Sequence, residues 1–434
     1  MKVTQESPSS PIMASGTGTT TNCEFANIVS PFSQGFPEPE GSSIPKKHRL
    51  SPRSSSSLTS PSSSRHHHMA NHGDRASPPS PILPPELIEN ILSRLPVKLL
   101  LQLRCVCKSW NSLISDPRFA KLHLRVSITD RKFTHHNIVF CVPGPSRTVT
   151  SCPVSSTRER KRTNAVKLKY PLKRQNPYDF IVGSCNGLLC FAIRPSHVLV
   201  WNPSIRKCKK SPCLDYQKRD GSYIIYGFGC DQSIDKYKVV AIFCYNSDGR
   251  GDYKTEVSVY TLGDDSWRMI QEFPLGIPYD EMGKFVSGTL NWVADSHSRS
   301  SLVVISLDLE KESYVELPQP DHGDGMLTLT LGVLGDCLAI LYNYGTRSDV
   351  WIMKDFGVKE SWTKLFNIPS PENPVLLCPK DRCISESSEI LLQDRWLLNW
   401  YNPRSSSFVS PEIQCNRGWI EAQIYVESLI SPCL

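Results

Sequence analysis

The sequence predicts an α+β, multidomain chain: a small all-α module, then an all-β, propeller-like domain of about six degenerate blades, behind a disordered N-terminal tail. Three observations carry this reading. A leucine-rich stretch at 82–126 has helical spacing and is punctuated by proline. From 127 to 434, short runs of Val, Ile, Tyr, Phe and Trp alternate with Gly, Asp, Asn and Pro turns. The hairpin turns of that region recur at a near-constant interval. A length of 434 residues accommodates two folded domains and a tail.

Composition narrows the function classes. Hydrophobic residues make up 39% and mean hydropathy is −0.29, enough for a sizeable core. No run of about 18 apolar residues occurs and the N-terminus lacks an apolar signal core, so neither a membrane span nor secretion is expected. A net charge of +7, spread along the chain, gives no nucleic-acid footprint. The 16 cysteines are scattered without a CxxC pair, which fits reduced thiols in the cytoplasm and/or nucleus.

Residues 1–81 hold 19 Ser and 11 Pro and almost no aromatics. Such a segment buries too little apolar surface to offset chain ordering, so disorder is expected. Pro45-Lys46-Lys47-His48-Arg49 is similar to a short nuclear-import signal, but reads first as a solvated charge run. Ser77 and Ser80 each precede proline immediately before the leucine-rich stretch, where phosphate charge would perturb docking.

In 82–126, Leu87, Ile88, Ile91, Leu92 and Leu95 share one helix face, with Pro84 and Pro85 in the first turn and Pro96 as the stop. A second apolar set follows at Leu99, Leu100, Leu103, Val106 and Cys107, and a third at Trp110, Leu113 and Ile114. Asp116-Pro117 reads as an N-cap and first helical proline, opening a last helix with Phe119 and Leu122. Three or four short helices make a marginal core, so an apolar face is expected to need a partner.

In 127–434, the hairpin turns begin at Asn202, Gly263, Asp308, Asp355 and Asn402, spaced 61, 45, 47 and 47 residues apart. Propeller blades run to roughly 40–50 residues. An aromatic usually follows the turn (Trp267, Tyr314, Trp362, Phe408), and glycines interrupt an upstream strand (Gly183/Gly187, Gly227/Gly229, Gly283/Gly288, Gly332/Gly335). Trp201, Trp267, Trp351 and Trp362 are expected to fill space between blades. The strand at 419–430 is expected to close the ring, so truncating it would destabilise the domain.

Residues 83–119 read LPPELIENILSRLPVKLLLQLRCVCKSWNSLISDPRF. This resembles the F-box over its whole length, through Leu83-Pro84, Glu86-Leu87, Ile91-Leu92, Leu95-Pro96-Val97-Lys98, Arg104 to Lys108, Trp110, Leu113-Ile114 and Asp116-Pro117 with Phe119. The resemblance implies docking on a Skp-family adaptor and, through it, on a cullin and RING protein: the substrate-recognition subunit of a Skp–cullin–F-box ubiquitin ligase, itself without catalysis. Leu83, Pro84, Leu87, Ile88, Ile91, Leu92, Leu95, Pro96, Cys107 and Trp110 are the expected adaptor-binding residues, with Trp110 the foremost hot spot. GSCNGLLCF at 183–191, VWNPSIRK at 200–207, YGFGCDQSIDKYKVVAIF at 226–243 and IYVESLISP at 424–432 look like the F-box-associated, kelch-like domain of plant F-box proteins, which implies capture of an unidentified protein target. Loops at 246–254, 275–283, 319–325, 343–348 and 370–388 are the candidates for that contact.

No HExxH, GxSxG, Walker A or post-strand GxGxxG motif occurs, and only His197, His297 and His322 lie beyond residue 136, so no catalytic residue, metal or cofactor is expected. The four-residue gaps of Cys185/Cys190, Cys208/Cys213 and Cys378/Cys383 read as small apolar residues. Arg158 to Arg162 reads as an exposed charge run, with steering of an acidic partner as the alternative. Two other functions remain open: an adaptor-bound scaffold acting outside degradation, and a propeller enzyme with an appended helical module.

Overall fold

A computed structural model describes residues 83–434 except 131, 133, 143–147, 159–161, 173–178, 194–195, 247–252, 280–281, 297–300, 370–374, 377–388, 395–396, 415–420 and 434. The Ser/Pro-rich tail with Lys46 to Arg49, Ser77 and Ser80 lies outside the described residues, as do His297, Cys378 and Cys383.

Four helices form the N-terminal module: α1 (Pro85–Leu92), α2 (Val97–Leu103), α3 (Lys108–Ser115) and α4 (Pro117–Ile128). Prolines set two of the starts. The Pro84 carbonyl accepts from Leu87 N (3.0 Å) and Ile88 N (3.1 Å), and the Pro96 carbonyl from Leu99 N (2.9 Å) and Leu100 N (3.1 Å). Neither proline offers a side-chain cap. Asp116 caps α4 as expected, its Oδ1 accepting from Arg118 N at 2.7 Å. The first helix stops at Leu92, short of Leu95, because the chain turns through Ser93-Arg94-Leu95 before Pro96. Cys107 belongs to no second helix: its sulfur caps α3.

The β region is propeller-like, as the sequence predicts. Four sheets have four strands each, and one has eight. The eight-stranded sheet is two four-stranded meanders, 223–270 and 282–317, joined by two parallel residue pairs, Met282↔Tyr226 and Gly283↔Gly227. Glycine permits this merger. A Cβ on Gly283 would stand 2.6 Å from the Trp292 ring, and one on Gly227 would stand 2.8 Å from Leu290. Among the described residues the result is six four-stranded units: blade 1 (136–167 with 421–426), blade 2 (180–210), blade 3 (223–270), blade 4 (282–317), blade 5 (328–368) and blade 6 (375–409).

Six apolar clusters lie between neighbouring blades. Blades 1 and 2 share Val139, Phe191 and Trp201; blades 2 and 3 share Val200, Phe228 and Tyr260. Blades 3 and 4 share Val257, Trp292 and Ile305; blades 4 and 5 share Val304, Leu331 and Trp362. Blades 5 and 6 share Leu341, Ile390 and Tyr401; blades 6 and 1 share Leu391, Trp400 and Ile138, which closes the ring. The C-terminal strand Glu421–Val426 pairs with His136–Val142 as the innermost strand of blade 1. Both ends of the domain therefore meet in one blade.

Three of the four aromatics that follow hairpin turns share a role, whereas Phe408 is exposed. Trp267 Nε1 donates to the Pro212 carbonyl (3.1 Å), Tyr314 Oη to Gln271 (3.5 Å), and Trp362 Nε1 to Pro318 (2.8 Å). Each acceptor lies in the link that enters that aromatic's own blade. One side chain thus fills the gap to the neighbouring blade and satisfies a linker carbonyl.

Candidate docking surfaces

Within the helical module, Leu92, Leu100, Ile114 and Phe119 form the core, with Ile88, Leu95, Leu103, Trp110 and Leu113 packed on it. Leu92, expected on the docking face, is 2% exposed and holds the helices together instead. Trp110 is half-buried against the same core. The exposed anchors are others of the predicted set. Leu83 is 53% exposed, and Leu87 and Ile91, one turn apart on α1, are each 51% exposed. Pro84, Pro96 and Cys107 are also exposed. Leu99 and Val106, outside the predicted set, join them. Five of the sixteen large apolar side chains left exposed in the described residues fall in the 24 residues from Leu83 to Val106. Such a crowding makes an exposed apolar patch on a small helical unit.

The module is seated on one end of the propeller. Ala120 and Leu124 of α4 enter the cluster between blades 2 and 3, and Lys121 ion-pairs with Asp235 in the turn of blade 3. His123 is fully buried. Its Nε2 lies 2.9 Å from the Leu95 carbonyl, and its ring meets that of buried His135 edge-on at 5.6 Å. Burial pushes its pKa from 6.5 down to about 4, so the ring is neutral and donates to Leu95. The sequence reading missed His123 because it fixed on the leucine pattern. Its signal was present: His123 and Ser127, both fully buried, stand four residues apart on α4, in step with Ala120 and Leu124.

Strand alternation sorts the propeller loops. The innermost strands of blades 2 and 3 run towards the helical module, as the Asp235 contact shows, so second-to-third strand loops and blade-to-blade links gather at the opposite end. The described parts of 246–254, 275–283, 319–325 and 343–348 share that end. Most of 370–388 lies outside the described residues. The end is rich in aromatics. Tyr216, Phe243 and Tyr245 pack in series with centroids 4.9 and 5.4 Å apart, and the Arg219 guanidinium lies 3.8 Å over Tyr245. Exposed Tyr223 and Tyr253 sit 6.4 Å apart. In blade 5, His322 lies 4.2 Å from Tyr342 and Arg347 lies 4.9 Å over Tyr344. Tyr216 and Arg219 stand in the polar stretch 207–222 that lengthens the first hairpin interval to 61 residues.

Among the described residues, no group of three or more His, Cys, Asp and Glu side chains has a metal-binding arrangement, and no helix is long and apolar enough to cross a membrane. Cys185 and Cys190 are buried, as expected of small apolar residues, whereas Cys208 and Cys213 are not.

Comparison with known proteins agrees with this division. A model of the F-box domain matches residues 81–122, and a model of the F-box associated beta propeller domain matches 147–396. An F-box/kelch-repeat protein of Arabidopsis thaliana is 36% identical over 358 residues, spanning 81% of this chain and 96% of its own. The F-box protein CPR1 of the same plant is 27% identical, spanning 81% of this chain and 89% of its own. Among solved structures, TolB from Acinetobacter baumannii aligns over 68% of this chain and 67% of its own, at 12% identity and a TM-score of 0.42.

Proposed function

We propose a function from one premise: the chain belongs to the F-box proteins that carry an F-box-associated β-propeller domain. It is a substrate-recognition subunit of a Skp–cullin–F-box ubiquitin ligase. The F-box docks the Skp-family adaptor, and the propeller holds the target protein near the charged ubiquitin-conjugating enzyme. The chain acts by positioning: tethering raises the local concentration of target and enzyme, and no bond is made or broken on this chain. It works in the cytoplasm or nucleus, where those partners are.

The observation that carries the reading is the exposed apolar stripe Leu83, Leu87 and Ile91 on a module whose core is already filled without them. Each such side chain, once covered, gains about 1.5–3 kcal/mol, against an association cost of about 4–15 kcal/mol, so several must act together. Leu87→Asp with Ile91→Asp removes two anchors and places charge in the contact. Adaptor binding by the full chain is then expected to fall at least about 100-fold, at 1.4 kcal/mol per tenfold. Leu83→Ala with Pro84→Ala is expected to weaken it less. All four residues are exposed, so folding survives. Binding equal to wild type in both variants refutes the assignment.

The cargo face is the aromatic end opposite the F-box, with Tyr223, Tyr253 and Arg219 among its contacts. Target proteins should accumulate on a chain carrying Leu87→Asp and Ile91→Asp, because it still grips them without handing them on. Targets whose abundance ignores the loss of adaptor binding would favour the scaffold function instead.

A further inference from the structure

We propose that the C-terminal residues Glu427–Ile430 are positioning residues of the ligase: they lock the F-box to the propeller, so that adaptor face and cargo face keep one fixed orientation. This rests on the function proposed above; the lock itself rests on the contacts that follow.

After the innermost strand of blade 1 ends at Val426, the chain leaves the sheet and runs under the F-box. Leu429 packs against two cores at once, that of the helical module and that between blades 2 and 3. The Glu427 carboxyl lies near the amide of Val97, the first residue of α2. Glu427 is itself tied to the propeller, its amide donating to the His135 carbonyl at 2.8 Å and its Oε1 accepting from Asn137 Nδ2 at 3.4 Å.

The segment is held from below as firmly as it holds above. Asn202 is fully buried, and its Nδ2 donates to the Ser428 carbonyl (3.0 Å), Ser428 Oγ (3.1 Å) and the Ile430 carbonyl (2.8 Å). Gly187, at φ 82°, lies so close that a Cβ there would stand 2.5 Å from the Val426 carbonyl.

Domains joined by a small polar contact move relative to one another; domains that share a hydrophobic core do not. Here the shared core includes Leu429 and the α4 residues Ala120 and Leu124. The consequence is geometric. A tethered reaction gains most when the partners are held in one orientation, and that gain falls away as the tether loosens.

The test uses the full chain with spin labels on unnatural amino acids at Arg118 on α4 and Lys254 at the far end of blade 3. Wild type should give a single narrow distance distribution. Leu429→Asp should broaden it, Leu429→Ala should do so less, and Leu429→Met should restore it. Adaptor affinity should change by no more than about twofold, since the adaptor face is elsewhere. A wild-type distribution already broad, or Leu429→Asp and Leu429→Ala distributions as narrow as wild type, overturns the lock. If Leu429→Asp fails to fold, Leu429→Ala decides. Should the adaptor bind neither wild type nor variant, the ligase function fails while the distances still decide the lock. With lock and adaptor binding both confirmed, ubiquitin transfer to captured target should fall in Leu429→Asp at unchanged adaptor occupancy. Unchanged transfer overturns the positioning role.

Discussion

Replacing Lys238 by alanine is expected to destabilise the propeller by about 3–5 kcal/mol. The Lys238 ammonium is buried between blades 3 and 4. It meets Asp231 Oδ2 at 2.9 Å, Glu312 Oε1 at 3.1 Å and the Leu309 carbonyl at 2.5 Å. Asp231 belongs to the inner hairpin of blade 3, and Glu312 to the outer turn of blade 4, so one cation fastens two blades. Arg268 also reaches Glu312 at 2.5 Å, but from solvent. Without Lys238, Asp231 is left as an unpaired buried carboxylate. Hydrogen bonds and charge from its partners hold both carboxyls below the usual range: at Asp231, Ser233 and Lys238 outweigh the upward push of burial, and at Glu312, Arg268 leads. Carboxyls depressed in this way stabilise above their unfolded pKa values, and that contribution is lost as pH falls through the folded ones. Chemical denaturation of Lys238→Ala reads the loss directly. Arg268→Ala, at an exposed pair, should cost no more than about 1 kcal/mol. Pairing Lys238→Met with Asp231→Leu should recover much of the stability, because a packed apolar pair escapes the desolvation cost. A Lys238→Ala protein within about 1 kcal/mol of wild type would show that the pair is not what binds these blades.

Local patterns in the sequence translate well into this structure. Asp116-Pro117 opens a helix because a capping carboxylate and a preset φ need no distant help. The hairpin spacing marks blades because each blade repeats one meander, and Trp267 and Trp362 recur because each fills the same gap between blades. What stayed hidden was non-local. Leu92 and Leu87 are equally apolar, and only the packing of α1 against α2, α3 and α4 decides that Leu92 is core and Leu87 is surface. The closing strand was legible from its β-branched and aromatic residues. The next residues, Glu427 to Leu429, carry no local sign that they brace a helical module more than 300 positions upstream. Similarly, Arg219 sits in a link that looks like a solvated insert until Tyr245 is brought beneath it.

Acid should weaken the F-box itself through His123. The ring is buried and neutral in the folded chain, its pKa lowered from 6.5 to about 4, chiefly by burial. Nε2–H donates to Leu95, and the neighbouring His135 ring lowers the His123 pKa further. The unfolded chain binds a proton near pH 6.5 and the folded chain only near 4, so between these values the unfolded state carries more protons. Stability must then rise with pH across that window and be lost on acidification, by roughly 3 kcal/mol at 1.36 kcal/mol per unit. Glu427 opposes this. Burial raises its carboxyl pKa, so protonation as pH falls returns some stability to the same junction. Comparing wild type with His123→Gln by denaturation at pH 7 and pH 4.5 isolates the histidine, since the remaining carboxyls titrate in both proteins. Glutamine retains an N–H donor for the Leu95 carbonyl and has nothing to protonate. The gap between the two proteins should therefore shift in favour of His123→Gln as pH falls, and Glu427→Gln should make the acid loss of the wild-type ring larger. An equal pH dependence in wild type and His123→Gln would mean that the ring takes up its proton without opening the junction. That would contradict its burial between the Leu95 carbonyl and the His135 ring.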